Sequence, residues 1–127
     1  MIAAAERPVS LRRLRVLVVE DSWNVANTIK GILESADASV LGPVPSVAEA
    51  LALIRTQPVS LALVDMNLRE SFADEVINEL VAREIPYAIV TAYVTLPSDA
   101  DSRAVAVLHK PVDADQLLAV AGRFVAG

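Results

Sequence analysis

Glu20 and Asp21, Asp65, Thr91 and the pair Lys110-Pro111 are far apart in the chain but share one context. Each stands just past a short run of Val, Leu, Ile and Ala: residues 16–19, 61–64, 88–90 and 105–108. If those runs are parallel strands, all these polar side chains emerge at the carboxyl edge of one sheet, where open α/β sheets bind their ligands. Three carboxylates, a hydroxyl and an ammonium at one edge suit a divalent cation and a phosphoryl group. Carboxylates forced together repel one another unless a cation bridges them. Mg²⁺ is hard, prefers oxygen donors and keeps several waters. Asp21 and Asp65 are the expected direct ligands, joined by the backbone carbonyl of Asn67, with Glu20 acting through water. Lys110, placed beside Asp65, would pair with that carboxylate at rest and with a phosphoryl oxygen afterwards, and Thr91 adds a hydroxyl donor. Such a set lets a carboxylate attack phosphorus, leaving an aspartyl phosphate on Asp65. A cis Lys110-Pro111 peptide would aim the lysine into the crevice. The competing reading, strand-end acids that cap the helices after them, leaves Lys110 unexplained.

The elements that must position these groups are legible in the apolar pattern. A strand from Leu14 to Val19 leads to a helix near Trp23 to Ala36, with Val25, Ile29, Ile32, Leu33 and Ala36 on one face. A short strand, Ser39 to Leu41, stops at Gly42-Pro43. Ser46 and Glu49 then read as a capping box opening a helix that buries Val47, Ala50, Leu51 and Ile54 and ends before Pro58. The run Val59 to Val64 is apolar throughout, as a central strand is. A helix from about Ala73 to Arg83 buries Ala73, Val76, Ile77, Leu80 and Val81 and turns Asp74, Glu75 and Glu79 to water. Asp113 and Gln116 form a second capping box for a last helix ending near Phe124. Between Thr91 and Ala104 no helical stripe exists, and Pro97 with its Ser and Asp neighbours predicts an irregular crossover. Strands alternating with helices imply parallel βαβ units.

Composition narrows the classes. The chain has 127 residues, 54% apolar and 21% charged, with net charge -5 and no cysteine. One domain is expected, residues 13–127, preceded by a tail, 1–12. Thiolate metal sites and disulfides are excluded. The acidic balance argues against a nucleic-acid surface, and Arg12, Arg13 and Arg15 read as a solvated lead into the first strand. No apolar run approaches the ~20 residues of a membrane span. Met1 to Pro8 lacks the basic start and apolar stretch of a signal peptide, so a cytoplasmic location is expected.

The ordered set of acidic pair, Asp, Thr and Lys-Pro resembles the receiver domain of bacterial two-component response regulators, over about residues 13 to 126. The resemblance implies a doubly wound five-stranded parallel sheet of order 2-1-3-4-5, flavodoxin-like, in which the first and third strands are neighbours. It implies Asp65 as phosphoacceptor, Glu20 and Asp21 as metal-binding acids, Thr91 as switch hydroxyl and Lys110 as the lysine of the site. Three departures stand out. Val107 occupies the position three before the lysine where most receivers carry an aromatic, no proline follows Asp65 in the loop Met66 to Ser71, and the fourth helix is weakly encoded. The segment Ile89-Val90-Thr91-Ala92-Tyr93 resembles the FAT GUY subgroup of single-domain receivers, which is similar in its degenerate fourth helix. The expected function is that of a stand-alone phosphoacceptor: it takes a phosphoryl group from a sensor histidine kinase or phosphotransfer protein onto Asp65 with Mg²⁺, then signals through protein contacts or passes the group on. The downstream target is unknown, and no enzyme activity beyond self-phosphorylation and self-dephosphorylation is expected. The alternative is a pseudo-receiver acting only as an interaction module. A phosphohydrolase would need a general acid near Asp65, which Asn67 cannot be; a flavin protein would need a phosphate-binding loop where Glu20-Asp21 stands. His109 reads as a strand residue, Trp23 as a packing or surface residue near the first loop, and Tyr93 as part of a segment expected to move.

Overall fold

A computed structural model describes residues 10–68, 71–92 and 103–125. Five parallel strands form one sheet: β1 (Arg15–Val19), β2 (Ser39–Val44), β3 (Leu61–Asp65), β6 (Tyr87–Thr91) and β7 (Ala106–His109). Their spatial order is β2-β1-β3-β6-β7. Counted within this sheet alone, that is the 2-1-3-4-5 order that the resemblance implies. A small antiparallel pair, β4 (Asn67–Leu68) with β5 (Ser71–Phe72), interrupts the chain after β3. Four helices lie among the described residues: α1 (Trp23–Ser35), α2 (Val47–Thr56), α3 (Asp74–Ala82) and α4 (Ala114–Gly122). The expected irregular crossover falls mostly on 93–102, outside the described residues, and Tyr93 with it.

The strand sequences explain the double winding. Side chains alternate across a strand, and here both sides are apolar. Val16, Val18, Leu61, Leu63, Ala88, Val90 and Leu108 pack in one cluster with Ile29 and Leu33 of α1 and Leu117, Val120 and Ala121 of α4. Leu17, Val19, Ala62, Val64, Tyr87 and Ile89 pack in the other with Ala50 and Ile54 of α2 and Val76, Ile77 and Leu80 of α3. All five residues of β3 are buried, as expected of a central strand.

Some elements differ from expectation. β2 runs on through Gly42-Pro43, a cis peptide, to Val44. It is an edge strand, where the missing proline N–H is tolerated. Between Leu17 and Val19 its register with β1 shifts. Gly42 is needed at this bulge. Its φ is +88°, and a Cβ would lie 2.7 Å from Val44 N and 3.1 Å from Val18 O. Ser46 caps α2 by accepting from Glu49 N–H, but the Glu49 carboxylate accepts from the Ser46 hydroxyl at 2.9 Å instead of reaching the backbone. The box expected at Asp113 does not form. Asp113 is the N-cap of α4 without a side-chain cap bond, and both it and Gln116 are exposed to competing water. Val81 is 39% exposed, because it lies one position past the stripe made by Ala73, Val76, Ile77 and Leu80. Glu79 is not simply solvated: it bridges Arg55 of α2, at 3.4 Å, and Arg83, at 2.6 Å. Arg15 is likewise bonded, to the Pro58 carbonyl and Gln57 Oε1. Leu11, ahead of β1, is fully buried in the core.

Candidate functional site

Register brings the site together. Val19 is aligned with Val64, so Glu20, the next residue, comes beside Asp65. Asp65 is aligned with Val90, one residue before Thr91, and Thr91 with His109, one residue before Lys110. The Lys110 N–H donates to the Thr91 carbonyl at 2.8 Å, tying the lysine's backbone to the end of β6. The Lys110-Pro111 peptide is cis. Glu20, Asp65 and Thr91 are the buried polar residues among those described, at 3, 4 and 2% exposure. Asp21 is half-buried at the rim. Of the expected ligands, Asn67 lies two residues past Asp65 in β4.

Lys110 Nζ lies between two carboxylates. It donates to Asp65 Oδ2 at 3.3 Å, as expected, and stands closer still, at 3.0 Å, to Glu20 Oε1. The Glu20 contact is an ion pair without hydrogen-bond direction, so buried Oε1 lacks a hydrogen bond among the described residues. Oε2 accepts the Ser22 N–H at 3.0 Å. Sequence reasoning gave Glu20 a water-mediated role and missed both contacts. The register accounts for the first: Glu20, one residue past the Val19–Val64 pair, comes beside Asp65 and so within reach of the lysine that pairs with Asp65.

The electrostatics follow from this crowding. Burial is the largest influence on Glu20 and pushes its pKa from 4.5 up to about 7. The Ser22 N–H opposes that shift, Asp65 adds to it through a shared hydrogen bond and like charge, and Lys110 offsets part of it. For Lys110, burial works against the ammonium, but the close contact with the Glu20 carboxylate and the charges of Asp65 and Glu20 outweigh it and leave its pKa above the ordinary value. The site therefore carries more acid than its single lysine neutralises.

A divalent cation fits this donor set. Glu20, Asp21 and Asp65 each offer a carboxylate oxygen, all within 4.8 Å of one another. These are hard oxygen donors, one of them is a buried oxygen without a hydrogen bond, and the excess of acid makes a second positive charge favourable.

An all-parallel sheet with a crevice of acids and one lysine at its carboxyl edge belongs to the flavodoxin-like α/β class. Residues 16–121 match the family described as response regulator receiver domain. The chain belongs to that family, the receiver domains of two-component systems. It is similar to a CheY-like receiver domain from Methanospirillum hungatei JF-1, with 28% identity and a TM-score of 0.73 over 84% of this chain and 88% of that one. It is also similar to the signal receiver domain of a modulated diguanylate cyclase from Desulfovibrio desulfuricans G20, with 28% identity and a TM-score of 0.75 over 87% and 92%. A third likeness is to a CheY-like receiver from Methylobacillus flagellatus, with 25% identity and a TM-score of 0.73 over 82% and 92%. No curated protein matches the chain. Receiver domains are signalling phosphoacceptors that bind Mg²⁺ at an acidic pocket and work with histidine kinases or phosphotransfer proteins. Among the described residues no helix is long and apolar enough to cross a membrane.

Trp23, two residues from Asp21, is 76% exposed. His109 is exposed on edge strand β7, and Val107 is partly buried against the α2–α3 side of the sheet.

Proposed function

We propose that residues 13–127 are a phosphoacceptor domain that takes a phosphoryl group from a partner's phosphohistidine onto Asp65. The observation that carries this is Lys110 Nζ held 3.3 Å from Asp65 and 3.0 Å from Glu20. In the transfer, an Asp65 carboxylate oxygen forms a bond to phosphorus while the phosphorus–nitrogen bond breaks, and the released imidazole takes up a proton. Lys110 is already within reach of the carboxylate that would carry the phosphoryl group, so it can hold one of its oxygens without rearrangement of the backbone. Thr91, whose backbone is bonded to that of Lys110, offers its hydroxyl to another. A bound Mg²⁺ would supply charge neutralisation for the phosphoryl oxygens. Asp21, Asp65 and the backbone carbonyl of Asn67 are its proposed direct ligands, with Glu20 acting through water. The sequence around Thr91 supports the FAT GUY subgroup. Cytoplasmic signalling through protein contacts, or onward transfer to a further protein, is the role that follows.

Incubation with acetyl phosphate, with and without Mg²⁺, followed by intact mass spectrometry, tests the reading. One phosphoryl group is expected on the wild type with Mg²⁺ and none on Asp65→Asn. A mass shift that survives in the variant, or that is independent of Mg²⁺, sinks the assignment. An unchanged mass under all conditions would favour the interaction-only alternative.

A further inference from the structure

Two residues of the basic cluster ahead of β1 have no part in the acidic pocket, which lies at the other end of that strand. Leu11 and Leu14 are buried to 0 and 1% exposure. The Leu14 N–H donates to the Leu11 carbonyl at 3.0 Å, and the Leu11 N–H to the Ala36 carbonyl at 2.6 Å. Residues 11–14 thus form a β-turn anchored in the core at both ends, with Arg12 and Arg13 at its tip. Arg13 has φ of 72°, a left-handed conformation that glycine adopts freely and other side chains resist. Asp37 and Glu84 share that region, but each closely follows a helix, α1 or α3, where a left-handed residue is a common terminator. Arg13 terminates no helix. An arginine in a place that glycine would fill without strain points to a use for its side chain.

The third arginine of the cluster, Arg15, is bonded to Pro58 and Gln57. Arg12 and Arg13 are exposed and make no ion pair among the described residues. With Ser10 and Val125 they line an open recess of about 350 Å³, within the size range of small-molecule sites. Guanidinium groups present planar forks that grip phosphate oxygens in pairs. Ser10 adds a hydroxyl donor and Val125 an apolar wall. The net charge of -5 means that the long-range field does not gather anions, so recognition rests on these local donors. A nucleic-acid backbone would require a basic stripe, whereas this is a two-arginine tip over a small recess. We propose that the recess of Ser10, Arg12, Arg13 and Val125 binds a small phosphate-bearing metabolite, with both guanidinium groups on its phosphate oxygens.

The test is a titration of the full chain with sodium pyrophosphate, followed by amide NMR and melting temperature, in EDTA and at fixed ionic strength. The expected result is saturable shifts at Ser10 to Leu14 and Val125 with a rise in Tm. Sulfate at the same ionic strength should produce a response at least tenfold weaker. The double variant Arg12→Gln/Arg13→Gln should weaken pyrophosphate binding at least tenfold. Lys30→Gln, which removes a positive charge elsewhere, should leave binding unchanged. Arg13→Gly separates binding from folding: it should melt at or above the wild type while binding pyrophosphate more weakly. The proposal is overturned by shifts that do not saturate, by equal binding of sulfate, by unchanged binding in either arginine variant, or by shifts confined to the surroundings of Glu20 and Asp65.

Discussion

Glu20→Gln is expected to stabilise the metal-free protein above neutral pH while weakening the site. Burial and the neighbouring Asp65 raise the Glu20 pKa from 4.5 to about 7. Between those two values the folded chain therefore holds a proton at Glu20 that the unfolded chain has released. Stability falls wherever the native state binds more protons than the unfolded state as pH rises, so this group should erode stability progressively from about pH 4.5 to 7. At about 1.4 kcal/mol for each tenfold change in proton affinity, the ceiling is about 3 kcal/mol. Sharing of the proton with Asp65 and the attraction of Lys110 make about 1–2 kcal/mol the working expectation. Glutamine has the same shape, can still accept the Ser22 N–H, and carries no titratable proton. Glu79, whose pKa is lowered by Arg83 and Arg55, loses its contribution only as pH falls below about 4.5 and so does not enter this window. Urea unfolding followed by circular dichroism, in EDTA at pH 5, 6, 7 and 8, measures the difference. The wild type should lose stability across the series relative to Glu20→Gln, and the variant should be the more stable at pH 8. Parallel curves for the two proteins would refute the argument that Glu20 is held protonated by burial.

Gly42→Ala should destabilise by about 2 kcal/mol or more in urea unfolding, since its Cβ would meet Val44 N at 2.7 Å in a left-handed backbone. Leu11→Ala should cost about 2–4 kcal/mol in the same assay, because Leu11 is fully buried although it precedes the matched residues 16–121; a neutral effect would detach it from the fold. Millimolar Mg²⁺ should raise the melting temperature of the wild type by mass action and do so less for Asp21→Asn. An equal rise in both would remove Asp21 from the proposed metal site.

The site residues were legible because each stands where an apolar run ends, and parallel register converts that shared position in sequence into proximity in space. The continuous apolar run of residues 59–64 marked β3 as a central strand, but the full strand order came from the resemblance, since the apolar pattern does not say which strands lie beside it. What stayed hidden depended on tertiary partners. The continuation of β2 past Gly42-Pro43 needed an open sheet edge, and the exposure of Val81 needed the exact stripe of α3. Asp113 and Gln116 have the same capping-box spacing as Ser46 and Glu49, yet only Ser46 bonds to its helix. The antiparallel pair β4–β5 is too short to leave a periodicity. Glu20's contact with Lys110 is set by which of two adjacent acids turns inward, and Glu20 is the buried one.

The alternation along β1, with Val16 and Val18 facing α1 and α4 and Leu17 and Val19 facing α2 and α3, gives this small protein two separate interiors divided by a single peptide sheet. A methyl group removed from one compartment cannot be replaced from the other, because close packing transmits volume changes only among touching side chains. Each compartment can thus accumulate compensating substitutions on its own, and a chimaera that exchanges one whole compartment should disturb the fold less than one that exchanges half of each.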